Sequence, residues 1–242
     1  MTTALGYALV AAIANVAGGL LITTASPRGI RAQRILLGFG AGFMLAVAFL
    51  AMIPHALEET PGGAAWIVVG YLLVHVTQHV LTPHFHFGEE THHEAMIDRW
   101  VGTAALLGLL LHTFFDGVAI ASAFDVDASL GLLVFMAVFV HKVPEGVTVA
   151  SIMLVSGNSE RRALLAVALL GVSTLGGVLL TAWLEPLARH GLAISAGVTL
   201  YVAASNLMPE VQKEKDLFSG FAVILGVLVY LAARVLVGEM HV

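Results

Sequence analysis

The chain has 242 residues, of which 59% are hydrophobic and 11% charged, with a formal net charge of -5 and a mean hydropathy of +0.94. This composition excludes a soluble globular domain, and no basic stripe suggests nucleic acid as a partner. There is no cysteine, so disulfides and thiolate ligands are absent and a Cu(I) site is disfavoured, leaving imidazole and carboxylate from 11 His and 16 acidic residues as metal donors.

Crossing about 30 Å of hydrocarbon takes ~20 helical residues. Apolar runs of that order lie near 4–24, 33–55, 64–82, 101–123, 129–154, 162–183, 191–210 and 218–238. They are continuous rather than alternating, which excludes a barrel. The expected fold is an all-α integral membrane bundle of eight transmembrane helices, a single polytopic domain over residues 1–242.

In chain order, the first run has no cation before Pro27 and reads as a retained span rather than a cleaved leader. The second ends on Pro54-His55-Ala-Leu-Glu58-Glu59, which either collects cations at the outer mouth or forms an ordinary interfacial rim. The third carries His75 and His79 four residues apart, and the loop 83–100 adds His84, His86, His92 and His93; a metal relay and a solvated polar loop both fit. In the seventh, Asn206 and Glu210 stand one turn apart around Pro209, as pathway residues or as a polar helix end. His190 and His241 read as surface groups.

Arg28, Arg31, Arg34, Arg99, Arg161, Arg162, Lys213 and Lys215 all follow odd-numbered spans or precede even-numbered ones, against Arg189, with Arg234 near the end of the last span. The positive-inside rule then puts both termini outside the cytoplasm of a multi-pass cell (inner) membrane protein.

The fourth and fifth runs repeat one phrase: His112-Thr-Phe-Phe-Asp116-Gly117 and His141-Lys142-Val-Pro144-Glu145-Gly146. Each sets a histidine four residues before a carboxylate, which shares a helix face. The two histidines lie 11 and 12 residues into their runs, at roughly 17 Å of rise, near the midplane. Ionisable side chains at that depth cost roughly 2.5 to 3.5 kcal/mol each on insertion scales, so Asp116, Lys142 and Glu145 are expected to face one another, a cavity or an ion. Convergence of the two helices makes His112, Asp116, His141 and Glu145 a divalent-metal site between spans four and five; the bland alternative is polar glue between helices. Pro144 withdraws a hydrogen bond from Val140 C=O, which tends to kink the helix beside the His/Glu pair.

These phrases resemble the fourth and fifth spans of the ZIP (Zrt/Irt-like) metal-ion transporters, bacterial branch. Eight spans, outward termini, the His-bearing loop, the second-span ending Met-Ile-Pro54-His55-Ala-Leu-Glu58 and the seventh-span phrase Tyr201-Val-Ala-Ala-Ser-Asn206-Leu-Met-Pro209-Glu210 look like the same family. The resemblance implies that His112, Asp116, His141 and Glu145 ligate the transported metal and that His55, Glu58, His75, His79, Asn206 and Glu210 are pathway candidates. Many relatives have a second metal beside the first; the corresponding positions here are Thr113 and Lys142, and the span-six stretch reads Gly171-Val-Ser173-Thr174-Leu. An ammonium at that place implies one metal, with Lys142 as a built-in countercharge.

The implied function is transport of a divalent ion, zinc first, toward the cytoplasm by alternating access, not catalysis. No permanent cofactor is expected; the partners are the ion, the lipid bilayer and, in a homodimer, a second copy. Ligation needs neutral histidines and ionised carboxylates, so metal capture displaces protons. Two other readings use the same residues: a membrane metalloenzyme activating water, for which no distinctive base or HExxH-like phrase is present, and a bis-histidine haem protein, which the adjacent carboxylates fit poorly.

Overall fold

The computed structural model describes residues 1–24, 30–81, 99–212 and 217–239. Most of the loop 83–100, including His84, His86, His92 and His93, lies outside these residues, as do Arg28, Lys213, Lys215, His241 and the side chain of Glu210. Among the described residues every regular element is helical: α1 (Thr2–Thr24), α2 (Ile30–Val47), α3 (Ile53–Glu59), α4 (Gly63–Val76), α5 (Arg99–Val126), α6 (Ala128–Val155), α7 (Glu160–Trp183), α8 (Glu185–Tyr201), α9 (Met208–Gln212) and α10 (Leu217–Glu239). Seven helical stretches among the described residues are long and apolar enough to cross a membrane, and α4 with its continuation to Leu81 adds another rod. The chain is an all-α, multi-pass membrane protein.

Among the described residues three π-helical turns extend these rods: Ala48–Met52, Thr77–Leu81 and Val202–Leu207. Each stops two residues before a proline, Pro54, Pro83 or Pro209. A proline has no N–H and its ring crowds the carbonyl four residues back, and widening the turn relieves that crowding. The bonding follows: Ile53 N–H donates to Ala48 O and Met208 N–H to Ala203 O, each five residues back. Pro144 has no such turn before it, and α6 runs on through it.

Among the described residues four helix pairs are closed by reciprocal glycines. A Cβ on Gly18 of α1 would strike the Val143 carbonyl of α6, while one on Gly146 would strike the Asn15 carbonyl of α1. The same exchange joins α5 and α7 through Gly117 and Gly177, α4 and α8 through Gly70 and Gly197, and α2 and α10 through Gly42 and Gly226. Lipid tails are as apolar as leucine, so membrane helices associate by close van der Waals packing, and glycine lets the backbones meet. The pairs sort into two groups. α1, α5, α6 and α7 pack on one another; α4 pairs with α8 and α2 with α10, and α2 meets α8 chiefly through the π turns. The principal contacts between the groups are α5 with α8 and α2 with α6. Outward faces stay apolar, as Leu9, Ile13, Leu20, Phe218, Phe221 and Leu228 show.

Candidate metal centre

A one-residue link sets the centre's register. Asp127 alone separates α5 from α6, and its carboxylate caps α6 by accepting from Ser129 N at 2.7 Å and Leu130 N at 2.9 Å. Two helices joined so tightly run antiparallel as neighbours. His112 lies 15 residues before Asp127 and His141 lies 14 after it, so the hairpin brings them level.

The side chains of His112, Asp116, His141 and Glu145 are all buried, and one ligand atom from each lies within 4.8 Å of the others. Both imidazole Nε2 atoms stand 3.4 Å from Asp116 Oδ2, and His141 Nε2 is 3.8 Å from Glu145 Oε2. The two imidazole rings are 5.5 Å apart at 35°. His141 Nδ1 lies 2.9 Å from Ala137 O. A carbonyl only accepts, so Nδ1 donates to it and Nε2, which faces Asp116 Oδ2 at 3.4 Å, is the atom left for a metal, the arrangement usual for a ligating histidine. Ligand atoms about 2.1 Å from a tetrahedral ion lie about 3.4 Å apart, so the widest pair, at up to 4.8 Å, closes by about 1.4 Å on binding.

Lys142 is the cation already among these acceptors. It is 0% exposed, and its Nζ donates to Asp116 Oδ2 and Glu145 Oε2, each at 2.7 Å. Two carboxylates and one ammonium leave the group one negative charge in excess when both histidines are neutral. Glu145 Oε1 and His112 Nδ1 are buried without a hydrogen-bond partner. A cavity of about 10 Å³, the space of one water, opens beside them. His112, His141 and Glu145 line one side of it; Leu37, Val202, Asn206 and Leu207, from α2 and the π turn, line the other. The centre therefore lies on one helix group and faces the other.

Thr113 turns away from the ligands and donates to Leu110 O at 3.1 Å, where Ser173 of α7 also donates at 2.7 Å. Ser195 of α8 donates to Phe115 O at 3.1 Å. These bonds hold α5 on both sides of the turn that carries His112 and Asp116. Thr174 bonds within its own helix, to Leu170 O at 3.2 Å.

The other candidates fall outside the cluster. His55 donates from Nδ1 to Ala51 O at 2.9 Å, and Glu58 is exposed near the end of α3. His75 and His79 stack with ring centroids 4.1 Å apart, and His75 meets Tyr201 edge-on at 5.9 Å. Asn206 is joined to the centre through the cavity wall. Sequence reasoning passed over Asn15, Ser195 and the cavity walls. Asn15 had a readable signal, being a lone amide inside an apolar run; a serine that bonds a neighbouring helix has none.

Sequence comparison matches residues 89–233, more than half of the chain, to a family model described as ZIP Zinc transporter. Zinc transporter ZIP6 of Homo sapiens is 33% identical over 137 residues, which is 53% of this chain and 18% of that protein. Zinc transporter ZIP5 of Homo sapiens is 34% identical over 158 residues, 60% of this chain and 29% of that protein. Zinc transporter ZIP13 of Pongo abelii is 27% identical over 202 residues, 75% of this chain and 59% of that protein. The chain thus spans between about a fifth and three fifths of the length of these relatives.

Proposed function

This chain belongs to the ZIP zinc transporter family, and we propose that it carries a divalent metal ion, zinc first, across the membrane toward the cytoplasm. The observation that carries this reading is the convergence of His112, Asp116, His141 and Glu145 at a small cavity between two helix groups. Two imidazoles and two carboxylates are a zinc-competent donor set, and the relatives named above are zinc transporters by name. Zinc is cargo in this reading, with no resident cofactor. The metalloenzyme alternative has no comparable support among those relatives.

The ion sheds water to the two carboxylates, is held by the four side chains, and leaves when the groups move relative to each other so that the cavity opens on the opposite side. Binding strong enough to strip water and weak enough to release it is what passage requires. Lys142 holds the second-metal position with a fixed positive charge and so favours a single ion. His55 and Glu58 serve as an entry group, and His75, His79, Asn206 and Glu210 as an exit group. The cation distribution supports termini outside the cytoplasm of the cell membrane. The apolar face of α10 supports the bilayer as its surroundings, and a second copy is the partner in a homodimer.

The test is uptake of Zn(II), Fe(II), Mn(II) and Cd(II) into proteoliposomes, with His141→Ala and Glu145→Ala alongside. Saturable uptake lost in both variants is the expected result. Tight binding without passage of any ion overturns the transport reading and favours the metalloenzyme.

A further inference from the structure

Lys142 and an incoming ion need the same two carboxylates. Its Nζ is bonded to Asp116 Oδ2 and Glu145 Oε2, and the whole side chain is buried. A divalent ion held by those carboxylates brings two further positive charges against the ammonium, in surroundings where charges are weakly screened. A buried ammonium that loses its carboxylates requires another acceptor.

Asn15 of α1 fits that need. It is 0% exposed at the middle of its helix, and neither its Oδ1 nor its Nδ2 has a hydrogen-bond partner. An unbonded buried amide is expensive. Its location is set by Gly146: a Cβ there would sit 2.8 Å from Asn15 Oδ1, so the amide oxygen lies directly on α6. Lys142 and Gly146 are four residues apart and share that face of α6. The four-carbon stem of a lysine swings its charge readily over such a distance.

Building on the transport reading above, we propose that Asn15 is a positioning residue that receives the Lys142 ammonium when the ion takes Asp116 and Glu145. The ammonium keeps its proton and exchanges two carboxylate acceptors for the Asn15 amide oxygen. When the ion leaves, Lys142 returns to the carboxylates and displaces the last of the ion's contacts. The exchange gives the centre two alternative occupants and keeps Asp116 and Glu145 from standing unpaired between cycles.

The test is a double-mutant cycle on the full chain, with wild type, Asn15→Leu, Lys142→Met and the double variant. Two readouts are taken: KM for Zn(II) uptake in proteoliposomes, and Kd for Zn(II) in detergent by calorimetry. Expected is a weakening of about tenfold in KM and Kd for Asn15→Leu in the wild-type background, against less than about twofold in the Lys142→Met background. Asn15→Asp, which keeps an oxygen at the place, should bind Zn(II) at least as tightly as wild type, with the gain lost in Lys142→Met; it serves if Asn15→Leu does not fold. Equal effects of the Asn15 substitutions in both backgrounds, or none in either, overturn the exchange. A wild type that binds Zn(II) but passes none defeats the transport reading alone, because coupling in Kd still reports on Lys142 and Asn15.

Discussion

Lys142 Nζ lies 2.7 Å from Asp116 Oδ2, across the seam between α6 and α5, with neither side chain reaching solvent. Burying such a pair is costly, and removing one partner is costlier still, at about 3–5 kcal/mol, because the other charge is left alone. Lys142→Met should therefore lower the unfolding stability of the ion-free protein by about that amount. The same change leaves the carboxylates with no competing cation, so Zn(II) should bind about tenfold more tightly and restore the lost stability through mass action. Thermal unfolding with and without Zn(II) checks both halves.

Glycine crossings give a steric prediction. Gly146→Ala drives a methyl group into the Asn15 carbonyl, and Gly117→Ala drives one into the Thr174 carbonyl. Both neighbours are helix backbone and cannot step aside, so each change should cost about 3 kcal/mol or more, at the upper end of overpacking effects. A Cβ at Gly176 meets nothing within 4 Å. Gly176→Ala should leave unfolding in detergent unchanged or slightly more favourable to the fold, which makes it the control.

Asp127 accepts from two otherwise unpaired N–H groups at the start of α6. Asp127→Ala removes a helix cap, with an expected loss of about 1 kcal/mol. The α5–α6 hairpin sets the register of His112 against His141, so the loss should be accompanied by weaker Zn(II) binding in calorimetry. Asp127→Asn, which can cap in the same way, should restore both.

Ligand softness offers a test of which atoms touch the ion. His141→Cys replaces an imidazole with a thiolate, which prefers softer metals. In competition uptake the ratio of Cd(II) to Zn(II) should rise by about tenfold, an expectation that follows from ligand preference alone. The same substitution at His190, which stacks on Trp66 outside the cluster, should leave the ratio where it was.

Much of this was legible in the residues. The all-helical membrane fold followed from long apolar runs, because a bilayer admits few other backbones. The central quartet followed from a repeated spacing, because four residues make one helical turn and charges at midplane depth need partners. Less local features were not. Whether His55, His75 or His79 joins the quartet depends on how helices cross, and a pattern of four residues says nothing of that. The π turns were hidden for a related reason: proline announces a disturbed helix, yet a wide turn forms before Pro54 and Pro209 while α6 continues through Pro144.

By itself the sequence determined what is set by local chemistry and by the solvent: the membrane class, the helical runs, the donor atoms and their sharing of a helix face. Tertiary structure decided which faces meet. The reciprocal glycines of α1 with α6 and of α5 with α7 hold the ligand-bearing helices in one group, and the π turn that carries Asn206 closes the cavity from the other. It also decided that Lys142 bridges both carboxylates and that Asn15 lies unbonded on the same helix face. Pairwise approach depends on the shapes of two distant segments at once, and no run of residues along one chain carries that information alone.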